Sequence, residues 1–194
     1  MTTFAILRHA PTPWNESGRL QGRSDPSLSQ RGRAAANHWV LPDEVAGFHW
    51  LASPLARAIE TGECLGLKAT VEPALIEMAW GSWEGRTLAD LRAADPVGMA
   101  AAEARGLDLL PPGGESPRMV QTRLTPLLVR LAAGGQPVGA IAHKGVLRAL
   151  MALATGWDML GKPPVELRPA AVHLFELDSN GTPRLTQVNL TLSR

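Results

Sequence analysis

The sequence predicts an α/β fold: a three-layer α/β/α arrangement around a mainly parallel central sheet, closed by a C-terminal antiparallel hairpin. Three observations predict it. Short apolar runs alternate along the chain with segments of helical composition. Those runs lack the apolar–polar alternation of a half-exposed strand, so they read as strands buried on both faces. Near the end, Asn180-Gly181 separates two β-prone stretches, the strongest short hairpin signal.

Each element has its own justification. FAILRH (4–9) is the first buried strand. SLSQRGRAAANHWVL (27–41) reads as a helix, with Ser29 as N-cap and an alanine-rich middle. FHWLAS (48–53) is the second strand. It leads into a helix for which Ser53 is the expected N-cap, Pro54 the first helical residue and Gly66 the stop. TVEPALIEM (70–78) is extended and broken at Pro73. Residues 86–107 form two short helices split at Pro96. LLPPGGES (109–116) is a loop, and Ser116-Pro117 opens a helix to about Ala133 that Pro126 is expected to kink. PVGAIAH (137–143) is a third buried strand, followed by the helix GVLRALMALATG. The chain is expected to form one domain over 1–194, with 86–117 as a small cap-like excursion over one end of the sheet.

Composition narrows the function. The 194 residues are 45% apolar with net charge +1, which excludes disorder and gives no general pull toward nucleic acid or an anionic membrane. Lys68, Lys144 and Lys162 are the only lysines, so arginine carries the positive charge, and its fork suits phosphate and carboxylate oxygens. Cys64 is the single cysteine, which rules out an internal disulfide or a cysteine metal cluster and points to a cytoplasmic setting. Residues 1–7 are not expected to act as a signal peptide, and no apolar run approaches a bilayer span.

In open α/β sheets, ligands bind beyond the carboxyl ends of the strands. The first strand ends on Arg8-His9 and the third on His143. Arg57 lies in the first turn of the helix after the second strand, where free N–H groups already favour an anion. Two arginines and two histidines therefore have the chance to meet on one rim. Each can donate to an anion, and a neutral histidine can instead attack it. That set fits phosphoryl transfer through a phosphohistidine better than acyl or hydride transfer. Expelling an alkoxide also needs an acid. Glu77 follows an apolar run and precedes Met78 and Trp80, a setting that raises a carboxyl pKa. Glu84, between Trp83 and Gly85, reads as a turn residue. Taken singly these residues say little, because a lone histidine at a strand end is more often structural. His38, His49 and His173 lack such a setting. Trp14, Trp80 and Trp83 are candidate pocket walls. No H-E-x-x-H, carboxylate cluster, P-loop or G-x-G-x-x-G occurs, so neither a metal nor a cofactor is expected.

LRHAPTPWN, GRLQGRSDPSLSQRG, SPLARAIET, LIEMAWGSWEG, PPGGES and AHKGVLRAL, in this order, resemble the motifs of the histidine phosphatase superfamily, phosphoglycerate mutase-like branch, along nearly the whole chain. The resemblance implies the phosphoglycerate mutase-like fold and a role for each position. His9 would be the nucleophile. Arg8, Arg57 and His143 would hold the phosphoryl oxygens, and Asn15 would add a hydrogen bond. Glu77 would be the proton donor and later the base that activates water. Ala10 and Lys144 depart from the glycines common at those positions; Lys144 either adds charge beside the phosphate or points to solvent.

Among the activities this implies, hydrolysis of a small phosphate ester with some nonpolar surface is expected. A mutase must shield its phosphohistidine and grip a doubly anionic sugar acid. The excursion at 86–117 is short, and its alanines, leucines and prolines outweigh Arg86, Arg92 and Arg105. A non-catalytic phospholigand-binding protein would lack the nucleophile or the acid, and both are present.

Overall fold

The structure, a computed structural model, describes residues 1–193. The chain opens with β1 (Thr2–Arg8), a one-turn helix α1 (Pro13–Glu16) and α2 (Gln30–Ala36). Next come β2 (His49–Ala52), α3 (Ala56–Cys64) and the two-residue β3 (Thr70–Val71). Helices α4 (Leu88–Ala94) and α5 (Pro96–Glu103) occupy the excursion. The chain then returns through α6 (Pro117–Gly134), β4 (Val138–Ala142), α7 (Lys144–Thr155), β5 (Ala171–Leu177) and β6 (Pro183–Thr191).

The strands form one sheet in the order β3-β2-β4-β1-β5-β6. The pairs β3–β2, β2–β4 and β4–β1 are parallel, while β1–β5 and β5–β6 are antiparallel. This is the expected mixed α/β sheet with its terminal hairpin. Both faces are covered, which explains the unalternated strands. Phe4 and Ile6 pack with Ala140, Leu127 and Leu150 on one face. Ala5 and Leu7 pack with Trp50, Ala58 and Ile141 on the other. The Trp50 indole lies over Gly139, its register partner, where a Cβ would come within 2.6 Å of the ring.

Several boundaries differ from the sequence reading. The helix expected over 27–41 has the predicted Ser29 cap but stops at Ala36. Val40 leaves to pair with Ser193, a contact that local sequence does not carry. Residues 13–16, to which the sequence reading assigned no element, form α1, closed by a capping box between Thr12 and Asn15. The helix from Pro117 contains Pro126 and ends at Gly134, within a residue of the expected end. At the hairpin the Asp178 carbonyl accepts from Gly181 N at 3.0 Å, and Gly181 takes φ +79°, so a left-handed glycine completes the turn.

One correction bears on the site. Ser53 does not cap α3, which begins at Ala56 after Leu55. The Asp25 carboxylate accepts from Ala56 N instead, at 2.9 Å. Pro54 thus lies outside the helix, and Ser53 is free for another use.

Candidate active site

Sheet order assembles the site. Because β4 runs between β2 and β1, the residues that follow these three parallel strands lie side by side. His9 N donates to the Ala142 carbonyl and Ser53 N to the Ile141 carbonyl, both at 3.0 Å, which extends the ladders to the sheet edge. His143, the N-cap of α7, is flanked by Ser53 on one side and His9 on the other. The two imidazole centroids are 5.1 Å apart. The Ser53 hydroxyl and His143 Nε2 are at hydrogen-bond distance, 2.6 Å. The site role of Ser53 was missed because it depends on strand register.

The His9 ring is fixed in one tautomer. Its Nδ1 lies 2.7 Å from the Ala10 carbonyl, which can only accept, so Nδ1 carries the proton and Nε2 keeps a lone pair. Burial, then the charges of Arg8 and Arg57, push the His9 pKa down to about 3 despite that bond. The ring is therefore neutral at physiological pH and chemically able to act as a nucleophile. Burial and the surrounding His9, Arg57 and Arg8 likewise hold His143 well below the ordinary histidine range.

Arg57, the second residue of α3, is only 1% exposed. Its terminal nitrogens donate to the carbonyls of Ser24 (2.9 Å) and Gly22 (2.8 Å). That loop is braced in turn by Glu84, which accepts from Arg23 N, Ser24 N, Ser24 Oγ and Trp80 N. Burial acts to raise the Glu84 pKa, but the hydrogen bonds from Ser24, Arg23 and Trp80 outweigh it and lower the value, so Glu84 stays ionised. It is a turn residue, as expected, with a supporting role that its position in the sequence did not reveal.

Glu77 is buried. Its Oε1 accepts from Met78 N at 2.8 Å and its Oε2 from Gly145 N at 3.1 Å. Burial raises its pKa, and the two amides, Arg57 and Arg8 only partly offset this. Such a carboxyl keeps its proton to a higher pH than an exposed one and can give it up to a strong base.

Among the described residues, four buried side-chain nitrogens lack a hydrogen-bond partner. Three of them belong to this cluster: Arg8 Nε, Arg57 Nε and His143 Nδ1. Buried polar atoms are rarely left unpaired, so a shared anionic ligand accounts for all three economically. Arg8, His9, Arg57 and Glu77 line one cavity of about 730 Å³. Asn15 lies on its wall, its Oδ1 already accepting from Thr12 N and Thr12 Oγ1. The structure therefore brings all six sequence-selected residues to one place, with His143 immediately behind His9.

The cavity continues away from this cluster. Trp80 lines it and stacks on Trp83, with centroids 6.1 Å apart; Trp14 and Trp83 do not line it. The excursion contributes Leu88, Arg92, Glu103 and Leu109, and the loop after α7 contributes Met159 and Leu160. The second wall, at 159–161, carried no signal in the sequence.

The chain is similar to known proteins in sequence and in fold. The model of the histidine phosphatase superfamily (branch 1) matches residues 4–191. A glucosyl-3-phosphoglycerate phosphatase of Mycobacterium tuberculosis is 35% identical over 181 residues, covering 81% of this chain and 79% of that protein. A 2,3-bisphosphoglycerate-dependent phosphoglycerate mutase of Methylobacterium radiotolerans is 31% identical over 194 residues, covering 92% and 91%. The solved structure of Bacillus stearothermophilus YhfR superposes with a TM-score of 0.81 at 28% identity, covering 100% of this chain and 98% of that one. With this match over nearly its full length and a fold to accord with it, the chain belongs to the histidine phosphatase superfamily.

Proposed function

We propose that the protein is a phosphomonoester hydrolase that acts on a small phosphorylated metabolite through a phosphohistidine. One observation carries the reading: a histidine with a free Nε2 lone pair shares a cavity with two arginines whose buried Nε atoms lack a protein partner and with a carboxyl of raised pKa.

In the first step His9 Nε2 attacks phosphorus. An N–P bond forms, the ester P–O bond breaks, and Glu77 delivers its proton to the departing alkoxide. Arg8 and Arg57 neutralise the equatorial oxygens, where charge accumulates, and neutral His143 donates a hydrogen bond to them through Nδ1. Asn15 offers its amide N–H₂ from the wall. In the second step the Glu77 carboxylate takes a proton from water, whose oxygen attacks phosphorus. The N–P bond breaks and inorganic phosphate leaves. None of these steps calls on a metal.

Hydrolysis is favoured over transfer by the excursion, which we read as a small cap on a single domain. It is short, and its Arg92 is held by Glu103 through Nε (3.0 Å) and Nη2 (2.7 Å), which leaves it less available to a second phosphoryl oxyanion. The single cysteine supports a cytoplasmic setting. Among the described residues no helix is long and apolar enough to cross a membrane.

The test is a panel of small phosphate esters with both released phosphate and isomerised product measured, in the presence of EDTA. Phosphate release should dominate and survive chelation. His9→Ala should abolish turnover and the acid-labile phosphoenzyme; wild-type activity in that variant rejects the nucleophile, and isomerisation exceeding release rejects the hydrolase.

A further inference from the structure

Lys144 and Arg148 have no part in this scheme. They stand four residues apart on α7, so one turn of helix, about 6 Å of rise, separates them on the same face. Both line the catalytic cavity, and both also line a smaller cavity of about 310 Å³ beside it; Arg8 belongs to both cavities too. Lys144 is exposed at this rim and makes no hydrogen bond or ion pair among the described residues. Arg148 lies over the Trp157 ring, 4.7 Å from its centroid, and likewise pairs with no carboxylate among them.

The charges around them do not balance. Six cationic side chains line the larger cavity: Arg8, Arg19, Arg57, Arg92, Lys144 and Arg148. Its two carboxyls are Glu103, which Arg92 holds, and Glu77, whose oxygens face the amides of Met78 and Gly145. Glu166 is the only acid lining the smaller cavity and forms no ion pair among the described residues. A phosphoryl dianion matches Arg8 and Arg57. Lys144 and Arg148 remain as adjacent like charges, which repel unless an anion joins them.

We propose that Lys144 and Arg148 form a second anion subsite, and that the substrate is a phosphate ester whose alcohol portion carries another anionic group, a carboxylate or a second phosphoryl. This rests on the hydrolase reading above. Lys144 is then a specificity-determining residue at the pocket rim. Arg148 supplies a fork held flat by Trp157.

The test uses three esters on one carbon chain: propyl phosphate, 3-phosphonooxypropanoate and propane-1,3-diol bisphosphate. The wild type should favour at least one of the two bis-anionic esters by about tenfold to a hundredfold in kcat/KM, as expected for added charge-assisted hydrogen bonds. Which of the two leads identifies the second anion. Lys144→Met and Arg148→Gln should each erode that ratio, and Lys144→Arg and Arg148→Lys should restore most of it. Equal use of all three esters, or a preference that survives the double variant, overturns the subsite. Calorimetry with the methylene phosphonate counterparts of the three esters reads binding separately. Tighter binding of the bis-anionic phosphonates without phosphate release from any ester defeats the hydrolase reading and supports the subsite. Equal binding of all three phosphonates defeats the subsite alone.

Discussion

Replacing Gly145 by alanine separates the proton donor from the rest of the site. Gly145 N donates to Glu77 Oε2, and the glycine Cα lies so close to that carboxyl that a methyl group would press on Oε1. The same methyl would lie 3.2 Å from Glu77 Cδ and 3.1 Å from Met78 Cβ, so the carboxyl has to give way. Restoring normal contact requires a retreat of about 1 Å, and a misplacement of that size costs about 10²-fold in rate. Complete loss of a general acid costs about 10²–10⁴-fold, so the smaller figure fits a carboxyl displaced rather than deleted. The penalty should fall on alkyl phosphates, whose leaving oxygen needs a proton. Aryl phosphates with acidic leaving groups should slow by less than about fivefold. The assay is kcat/KM across a series of esters graded by leaving-group pKa, for wild type, Gly145→Ala and Glu77→Gln. Both variants should show a steepened dependence, Gly145→Ala no more than Glu77→Gln, and thermal unfolding run alongside separates a lost acid from a lost fold. Uniform slowing across the series, or full activity on alkyl esters, refutes the argument that Gly145 is small to make room for a protonated Glu77.

Three further outcomes follow from the same geometry. Ser53→Ala removes the partner of His143 Nε2 in a fully buried setting; a stability loss of about 1–2 kcal/mol in denaturant unfolding and weaker inhibition by inorganic phosphate are expected, and an unchanged variant rejects the positioning role. Glu84→Ala releases the loop whose carbonyls hold Arg57, so the inhibition constant for phosphate should rise about tenfold while the leaving-group dependence stays that of the wild type. The pH profile has a definite sign. Glu77, raised by burial, must be protonated for the first step, so kcat/KM for alkyl esters is full below its folded pKa and declines as pH rises through it. His9, held down at about 3 by burial and then by Arg8 and Arg57, gives no rising limb between about pH 5 and 7. A limb near the ordinary histidine value in the free enzyme contradicts that environment.

Much of the site was legible because its chemistry sits at places that local sequence marks. His9 and His143 each end an apolar run, Arg57 opens a helix, and Glu77 lies at the end of an extended segment. What could not be read depends on which strands become neighbours. Ser53 has the form of an N-cap, Ser-Pro before a helical segment, yet register beside β4 gives its hydroxyl to His143 and leaves the helix to Asp25. The helix ending at Ala36 stops early because Val40 is recruited by Ser193 from the far end of the chain. The wall at 159–161 is a loop without periodicity or motif. By contrast, α1 was readable and missed: Thr12-Pro13 with Asn15 is a capping sequence.

The order of the central strands also says when in folding the protein acquires its chemistry. Ser53 and His143 are 90 residues apart in the chain yet share a hydrogen bond, and the bond exists only once β4 has entered between β1 and β2. Insertion of a late strand between two early ones is a contact of high sequence separation, slow to close and absent from any partly assembled sheet. No N-terminal fragment ending before β4 contains the anion pocket, however well its own helices form. During refolding, phosphate binding should therefore lag behind helix formation and coincide with completion of the sheet, which makes catalytic activity a reporter of the last tertiary step rather than of collapse.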